Sequence, residues 1–121
     1  MEKVSISVPK IGFYHHYKHD SVKGIHHYAY EVLGVGLHTE SNCRPEDVYM
    51  VIYRPLYESA HVYKTSLCLG IPCFDIRPLE MWMSNVKKDE LYIPRFTLIT
   101  DKIKNTNLTL VRNRMYGQVT V

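Results

Sequence analysis

Prolines keep the extended segments of this 121-residue chain short. A proline has no N–H for a sheet ladder and holds the residue before it extended, so a strand is expected to end beside it. Three segments containing β-branched and aromatic residues end in this way: Val48–Arg54 before Pro55, Phe74–Arg77 before Pro78, and Leu91–Ile93 before Pro94. The pattern predicts short strands and places Arg54 and Arg77 at strand ends.

A fourth extended segment, Tyr28–His38, has two glycines on one predicted face. Side chains alternate between the two faces of a strand, so Gly34 and Gly36 lie on the same side and leave it bare. Such a bare strip usually marks a bend, a bulge or the close approach of another backbone, as tight barrels require. We therefore expect this strand to be irregular.

Little helix is expected. The segment Leu79–Val86 is the one helical candidate, because it follows Pro78, which suits a first helical position. Near the C-terminus, Asn107–Val111 and Tyr116–Val121 are typical of a β-hairpin joined by a basic turn. These elements predict an all-β fold, which is a small barrel of the SH3-like or OB-like type with one short helix and an added C-terminal hairpin.

The composition fits one folded domain spanning residues 1–121. Apolar residues make up 45% of the chain and charged residues 22%. There is no run of about 18 apolar residues and no leader pattern, so no membrane contact is expected. The cysteines, Cys43, Cys68 and Cys73, are odd in number, which favours a reducing compartment. We therefore expect a cytoplasmic protein.

The net charge of +3 conceals an asymmetry along the chain. Residues 1–85 hold eight Lys or Arg and nine Asp or Glu, whereas residues 86–121 hold seven and three. Basic residues contact phosphates and tyrosines stack on bases, so single-stranded nucleic acid is one alternative partner. A charge of +3 is small for this role, and we rank this alternative second.

Five histidines fall close together in the first part of the chain: His15, His16, His19, His26 and His27. Neutral imidazole is a good zinc ligand, but a zinc site needs three or four side chains that converge. Neighbouring histidines on a strand point to opposite faces, so the two doublets cannot all face one ion. We predict neither a metal nor a cofactor.

A polar turn follows the strand that carries the glycines. Its residues His38, Thr39 and Glu40 could hydrogen-bond a ligand, or His38 and Glu40 could act as acid and base on a substrate. The competing interpretation is an ordinary turn whose side chains satisfy backbone groups. The sequence contains no nucleophile elbow, activated cysteine or glycine-rich phosphate loop, which favours binding over catalysis.

The strand-end arginines and the tyrosines each have two interpretations. A guanidinium matches carboxylate and phosphate groups, so Arg54, Arg77 or Arg95 could hold an anionic ligand at the barrel mouth. The competing interpretation is an internal salt bridge to Glu40, Glu58 or Glu80. Tyrosines such as Tyr14 and Tyr53 could stack on a base, or they could fill a half-buried face of the barrel.

Six short motifs occur in order along the chain, and together they resemble one known family. They are GFYHHYK from Gly12, YEVLG from Tyr30, HTE from His38, VIYRPLY from Val51, RPLEMW from Arg77 and RF from Arg95. The chain resembles the bacterial and phage family known as domain of unknown function 1653 over residues 10–97. The resemblance implies an SH3-like barrel without an established activity, and it leaves residues 98–121 as an extension.

The favoured hypothesis is a non-catalytic barrel that binds a small anionic, nucleotide-like ligand. The family's distribution suggests sequestering or sensing of a nucleotide in a bacterium, or in the host cytoplasm if the source is a phage. A hydrolase or transferase that uses His38 and Glu40, and a homo-oligomer or interaction domain formed through edge strands, are further alternatives. The predicted ligand-binding residues are Tyr14, His16, His38, Thr39, Glu40, Tyr53, Arg54, Arg77 and Trp82.

Overall fold

The computed structural model describes residues 6–117. Within this range the strands are β1 Gly12–His16, β2 Ala29–Leu37, β3 Tyr49–Pro55, β4 Asp75–Pro78, β5 Asn85–Lys88, β6 Leu91–Pro94 and β7 Phe96–Leu98. The α-helices in the same range are α1 His61–Leu69, α2 Leu79–Trp82 and α3 Lys102–Tyr116. None of these helices is both long and apolar enough to cross a bilayer.

The strands form two antiparallel sheets, which confirms a mostly β fold. The larger sheet has the order β4-β3-β2-β1-β7, and β5 pairs with β6 in a separate two-stranded sheet. Strands β3, β4 and β6 end at Pro55, Pro78 and Pro94, as the proline pattern predicts. In the described part of the chain no ladder joins the edge strands β4 and β7, so backbone hydrogen bonds leave the sheet open.

A bulge interrupts β2 at the position that the glycines predict. Val32 pairs with Tyr53 and Gly34 with Ile52, so Leu33 has no partner on β3. A Cβ atom on Gly36 would lie 3.1 Å from Cδ1 of Ile52, closer than nearly all such contacts. The absence of a side chain on Gly36 therefore leaves room for the Ile52 side chain to pack over the strand. The bulge increases the local twist of the sheet.

The two faces of the large sheet bury separate cores. The inner core lies between the sheet and α2 and consists of Tyr14, Val32, Val51, Tyr53, Leu79, Trp82 and Phe96. The helix-side core lies against α3 and consists of Phe13, Ala29, Leu56, Ile99, Leu108, Met115 and Tyr116. Adjacent residues of β1, Phe13 and Tyr14, enter different cores because side chains alternate along a strand.

The predicted C-terminal hairpin is wrong, because residues 102–116 form helix α3. The Asp101 side chain accepts a hydrogen bond from the backbone N–H of Lys104 and caps the first turn. Leu108 and Met115, seven residues apart, lie on one helix face and are fully buried in the helix-side core. Residues 118–121, which complete the predicted second strand, lie outside the described residues.

Two further helix predictions need correction. The helix expected over Leu79–Val86 ends at Trp82, and Asn85 and Val86 belong to β5. Helix α1 has no counterpart in the predicted all-β fold; it ends at Gly70, whose φ of 70° is the left-handed conformation that glycine adopts readily. Within the described residues the fold is therefore mostly β with helices packed on both faces of the large sheet, and not all-β with a single short helix.

Candidate functional site

Aromatic side chains from four elements meet around the ring of Phe96 on β7. The Trp82 ring stacks on it with 3.6 Å between centroids, and the Tyr53 and His16 rings lie at 6.1 and 5.1 Å. Tyr14 contacts Trp82 edge-on at 5.5 Å. We call these residues, with Tyr30 and Arg77, the Phe96 cluster.

Arg77 brings a positive charge to this cluster. Its Nε donates to the Tyr53 hydroxyl at 3.2 Å, and its Cζ lies 5.5 Å from the centre of the Phe96 ring. Within residues 6–117, no acidic side chain forms an ion pair with Arg77. Asp75, two residues earlier on β4, interacts with this charge at longer range. The guanidinium is held in place and is not directly neutralised.

The His16 ring is a neutral group beside this cation. Burial lowers its pKa to about 4, and the charges of Arg77, Lys18 and Arg95 act in the same direction. Its Nδ1 accepts from the backbone N–H of Lys18 at 3.2 Å, so in the neutral ring Nε2 carries the proton. The ring also stacks on Tyr28 at 5.4 Å.

Tyrosine hydroxyls add neutral donors and acceptors. The Tyr30 and Tyr57 hydroxyls are hydrogen-bonded at 2.6 Å. Burial raises the pKa of Tyr30, of Tyr53 and of Tyr57, so all three remain protonated at neutral pH. Burial also raises the pKa of Asp75. The cluster therefore offers one cation among rings and hydroxyls.

Two cavities lie near the Phe96 cluster. One, of about 360 Å³, is lined by His26, His27, Tyr28, Tyr57 and Ser59. The other, of about 270 Å³, is lined by Pro9, Tyr14, Trp82, Met83, Asn85, Pro94 and Phe96. Tyr28 and Tyr57 thus connect the first cavity with His16 and Tyr30 of the cluster.

Five of the nine predicted ligand-binding residues come together here: Tyr14, His16, Tyr53, Arg77 and Trp82. Sequence reasoning missed Tyr30 and Tyr57 as a hydrogen-bonded pair although both lie in quoted motifs, YEVLG and VIYRPLY, because the motifs do not show which side chains meet. It also left Phe96, the centre of the cluster, out of the predicted site, although Phe96 lies in the RF dipeptide.

Arg54 lies on the opposite face of the sheet. Its Nε donates to Glu31 Oε1 at 2.8 Å, and Arg112 from α3 donates to Glu31 Oε2 at 3.1 Å. Arg54 thus forms an internal salt bridge, which was one of its two interpretations, but its partner is Glu31 and not one of the three predicted glutamates. Glu31 gives little signal in the sequence because it lies inside a strand.

The turn His38–Thr39–Glu40 is exposed. His38 Nδ1 accepts from the backbone N–H of Glu40 at 3.1 Å. His38 lies six residues beyond Val32, the partner of Tyr53, which is roughly 20 Å along an extended strand. Among the described residues, no hydrogen bond or ion pair links His38 or Glu40 to the Phe96 cluster.

Three of the seven basic residues of the C-terminal third form ion pairs with acidic side chains. Lys87 pairs with Glu90, Arg112 with Glu31 and Arg114 with Glu58. A further basic side chain, Arg95, donates to the Ser84 hydroxyl. These ion pairs partly offset the positive charge of residues 86–121.

The histidines near the N-terminus pack together through their rings. His15 and His19 stack with 3.5 Å between centroids, and each ring hydrogen-bonds a backbone carbonyl, of Ile25 and His27 respectively. In the described residues, no group of three His, Cys, Asp or Glu side chains is arranged to hold a metal ion.

Residues 12–98 match the model of the family described as protein of unknown function (DUF1653). The match covers most of the chain, and the chain belongs to this family. No curated protein and no solved structure matches the chain. The matched range contains β1 to β7 and ends before α3.

Proposed function

We propose that this member of the DUF1653 family binds a small anionic, nucleotide-like ligand at the Phe96 cluster and catalyses no reaction on it. The observation that carries the proposal is Arg77, a guanidinium without an ion-pair partner among residues 6–117, which lies against an aromatic cluster. A guanidinium of this kind suits a phosphate or carboxylate group, and aromatic rings beside it suit a base.

The half-buried rings form the proposed contact surface. His16, Tyr28 and Tyr57 are half-buried and adjoin the cavity of about 360 Å³, so a planar base can reach them. Stacking of this kind is worth about 1–3 kcal/mol per base. Tyr14, Tyr53 and Trp82 are buried, and Tyr53 and Trp82 contact Phe96, whose ring lies edge-on to His16.

The remaining predicted residues stay outside the proposed site. His38, Thr39 and Glu40 lie in an exposed turn, where water weakens electrostatic contacts with a substrate. Arg54 is paired with Glu31 on the other face of the sheet. Both arguments favour binding at Arg77 over catalysis at His38 and Glu40.

A barrel of the SH3-like or OB-like type remains part of the proposal. Its support is the approach of the two sheet edges, where Arg77 of β4 lies over the ring of Phe96 on β7. We also propose a bacterial or phage protein that works in a cytoplasm, where nucleotides are abundant. In the described residues Cys43, Cys68 and Cys73 are free thiols, which such a compartment keeps reduced.

The test is thermal unfolding against a panel of nucleotides, with protein that native mass spectrometry has shown to be free of bound small molecules. A ligand present at 100 times its Kd stabilises the native state by about 2.7 kcal/mol. We expect at least one nucleotide to raise the melting temperature. If no member of the panel does, the proposed function is wrong.

Variants locate the site. Arg77→Gln should weaken the binding roughly tenfold or more, because a charge-assisted contact is lost. The matched control is Arg44→Gln, which removes an equally charged but exposed arginine and should leave the binding unchanged. Trp82 is the single tryptophan, so its fluorescence reports binding beside Phe96 independently of stability. Equal affinity in both variants would contradict a role for Arg77.

A further inference from the structure

A third cavity, of about 510 Å³, lies between the sheet and α3, on the face opposite the Phe96 cluster. Its lining combines charged, polar and aromatic side chains: Glu31, Leu33, Arg54, Arg112, Asn113, Tyr116 and Gly117. The proposed function does not use this cavity. Arg54 lines the cavity, whereas its neighbour Tyr53 belongs to the Phe96 cluster, and adjacent side chains of a strand point to opposite faces of the sheet.

The charges at this cavity do not cancel. Glu31 is only 6% exposed, and its two carboxylate oxygens accept from different arginines, Oε1 from Arg54 and Oε2 from Arg112. Neither arginine forms another ion pair within residues 6–117. Because a guanidinium is always protonated, one carboxylate and two guanidiniums leave a net charge of +1 in a partly buried place.

Several N–H groups of these arginines have no partner in the described part of the chain. Arg54 uses its Nε for Glu31, and Arg112 uses one terminal nitrogen for Glu31 and its Nε for the Asn113 side chain. The terminal nitrogens of Arg54 and the second terminal nitrogen of Arg112 remain. In the same residues, no fully enclosed side-chain nitrogen lacks a hydrogen-bond partner, so these nitrogens are at least partly accessible to solvent.

Packing holds the Arg54 guanidinium in position. Its Cζ lies 4.1 Å from the centre of the Tyr116 ring, a close cation–π contact. The Tyr116 hydroxyl in turn donates to the backbone carbonyl of Pro55. Both contacts fix the Tyr116 ring, and through it the orientation of the Arg54 guanidinium. A ligand can therefore bind Arg54 without first ordering its side chain.

From these observations we infer a second binding site, in which Arg54 and Arg112 hold the carboxylate or phosphate group of a small anion in this cavity. Such an oxyanion neutralises the excess charge of the Arg54–Glu31–Arg112 group and accepts the remaining N–H groups. The inference is independent of the proposed function at Arg77.

The test measures unfolding of the full chain in inorganic phosphate, in acetate and in chloride at matched ionic strength. We expect phosphate or acetate to raise the melting temperature over chloride, and the two salts distinguish a phosphate site from a carboxylate site. Arg112→Gln should lower the affinity for that oxyanion roughly tenfold. Arg114→Gln, which removes the neighbouring exposed arginine, should retain the effect.

A second measurement protects the test against a variant that does not fold. Oxyanion titrated into the unaltered protein should shift the backbone amide resonances of Asn113 and Gly117, which line the cavity. If neither salt differs from chloride, or if these resonances do not move, the second site is overturned. An equal response of Arg112→Gln and Arg114→Gln to the oxyanion would overturn it as well.

Discussion

Glu31→Gln is expected to destabilise the fold strongly, because Glu31 joins three elements. The carboxylate on β2 is shared by Arg54 of β3 and Arg112 of α3, whose side chains are 14% and 33% exposed. Removing its charge leaves two guanidiniums facing each other with one acceptor oxygen between them. Breaking a buried ion pair costs about 3–5 kcal/mol. Since Arg112 is partly hydrated, we expect the lower end of this range, about 3 kcal/mol.

The control is Glu58→Gln, which makes the same chemical change at the pair with Arg114. Both of these side chains are more than half exposed, and exposed pairs contribute about 0–1 kcal/mol. Arg114 lies two residues after Arg112 on the same helix, so both variants test contacts that anchor α3 to the rest of the fold.

The assay is urea unfolding followed by circular dichroism, with equal m-values required for the comparison. Glu31→Gln should also lower the melting temperature by roughly 10 °C. In an Arg112→Gln background the same substitution should cost less, because one uncompensated charge is already gone. If Glu31→Gln and Glu58→Gln lose similar amounts below about 1 kcal/mol, the ion pairs do not hold the helix and apolar packing alone does.

Three other predictions follow from single residues. In the folded protein the pKa of His16 is depressed to about 4. The unfolded chain therefore binds the proton at a higher pH, and the free energy of unfolding should fall as the pH drops from about 6.5 to 4. Denaturant titrations at several pH values should show a smaller slope for His16→Gln. Met115→Ala should lower the free energy of unfolding by about 3 kcal/mol, because Met115 is fully buried. The control Leu110→Ala, at an exposed position of α3, should lower it by less than about 0.5 kcal/mol. Similar losses in urea unfolding would contradict the packing of Met115. Gly70→Ala should cost about 1 kcal/mol from its left-handed φ alone, because no atom outside its own segment lies within 4 Å of the added methyl; an unchanged urea midpoint would argue against that conformation.

Local chemistry made the strands predictable. Pro55 and Pro78 end β3 and β4 because proline lacks the N–H that a sheet ladder needs, and this effect does not depend on tertiary packing. Helix α3 is different, because the segment Asn107–Val111 alternates polar and apolar residues as a strand does. The helical conformation depends on the packing of Leu108 against residues that are distant in the sequence. The cap at Asp101 is the local signal that pointed the other way.

The candidate site was predictable only residue by residue. The types and strand-end positions of Arg54 and Arg77 marked both as important, yet the side chains leave β3 and β4 toward different cores. Which face a residue occupies depends on register, and the bulge at Leu33 shifts the register of β2 against β3. The pairing of Arg54 with Glu31 follows from that register, which the sequence does not display.

The position of α3 after all the strands has a consequence for synthesis of the chain. The strands leave the ribosome before α3, so the side chains of Phe13, Ala29 and Leu56 stay exposed to solvent on that face until residues 102–116 emerge. During that interval Glu31 has one arginine instead of two. Exposed sheet faces of this kind favour association with other chains, and a chaperone that covers this face until α3 has been synthesised would protect the nascent protein.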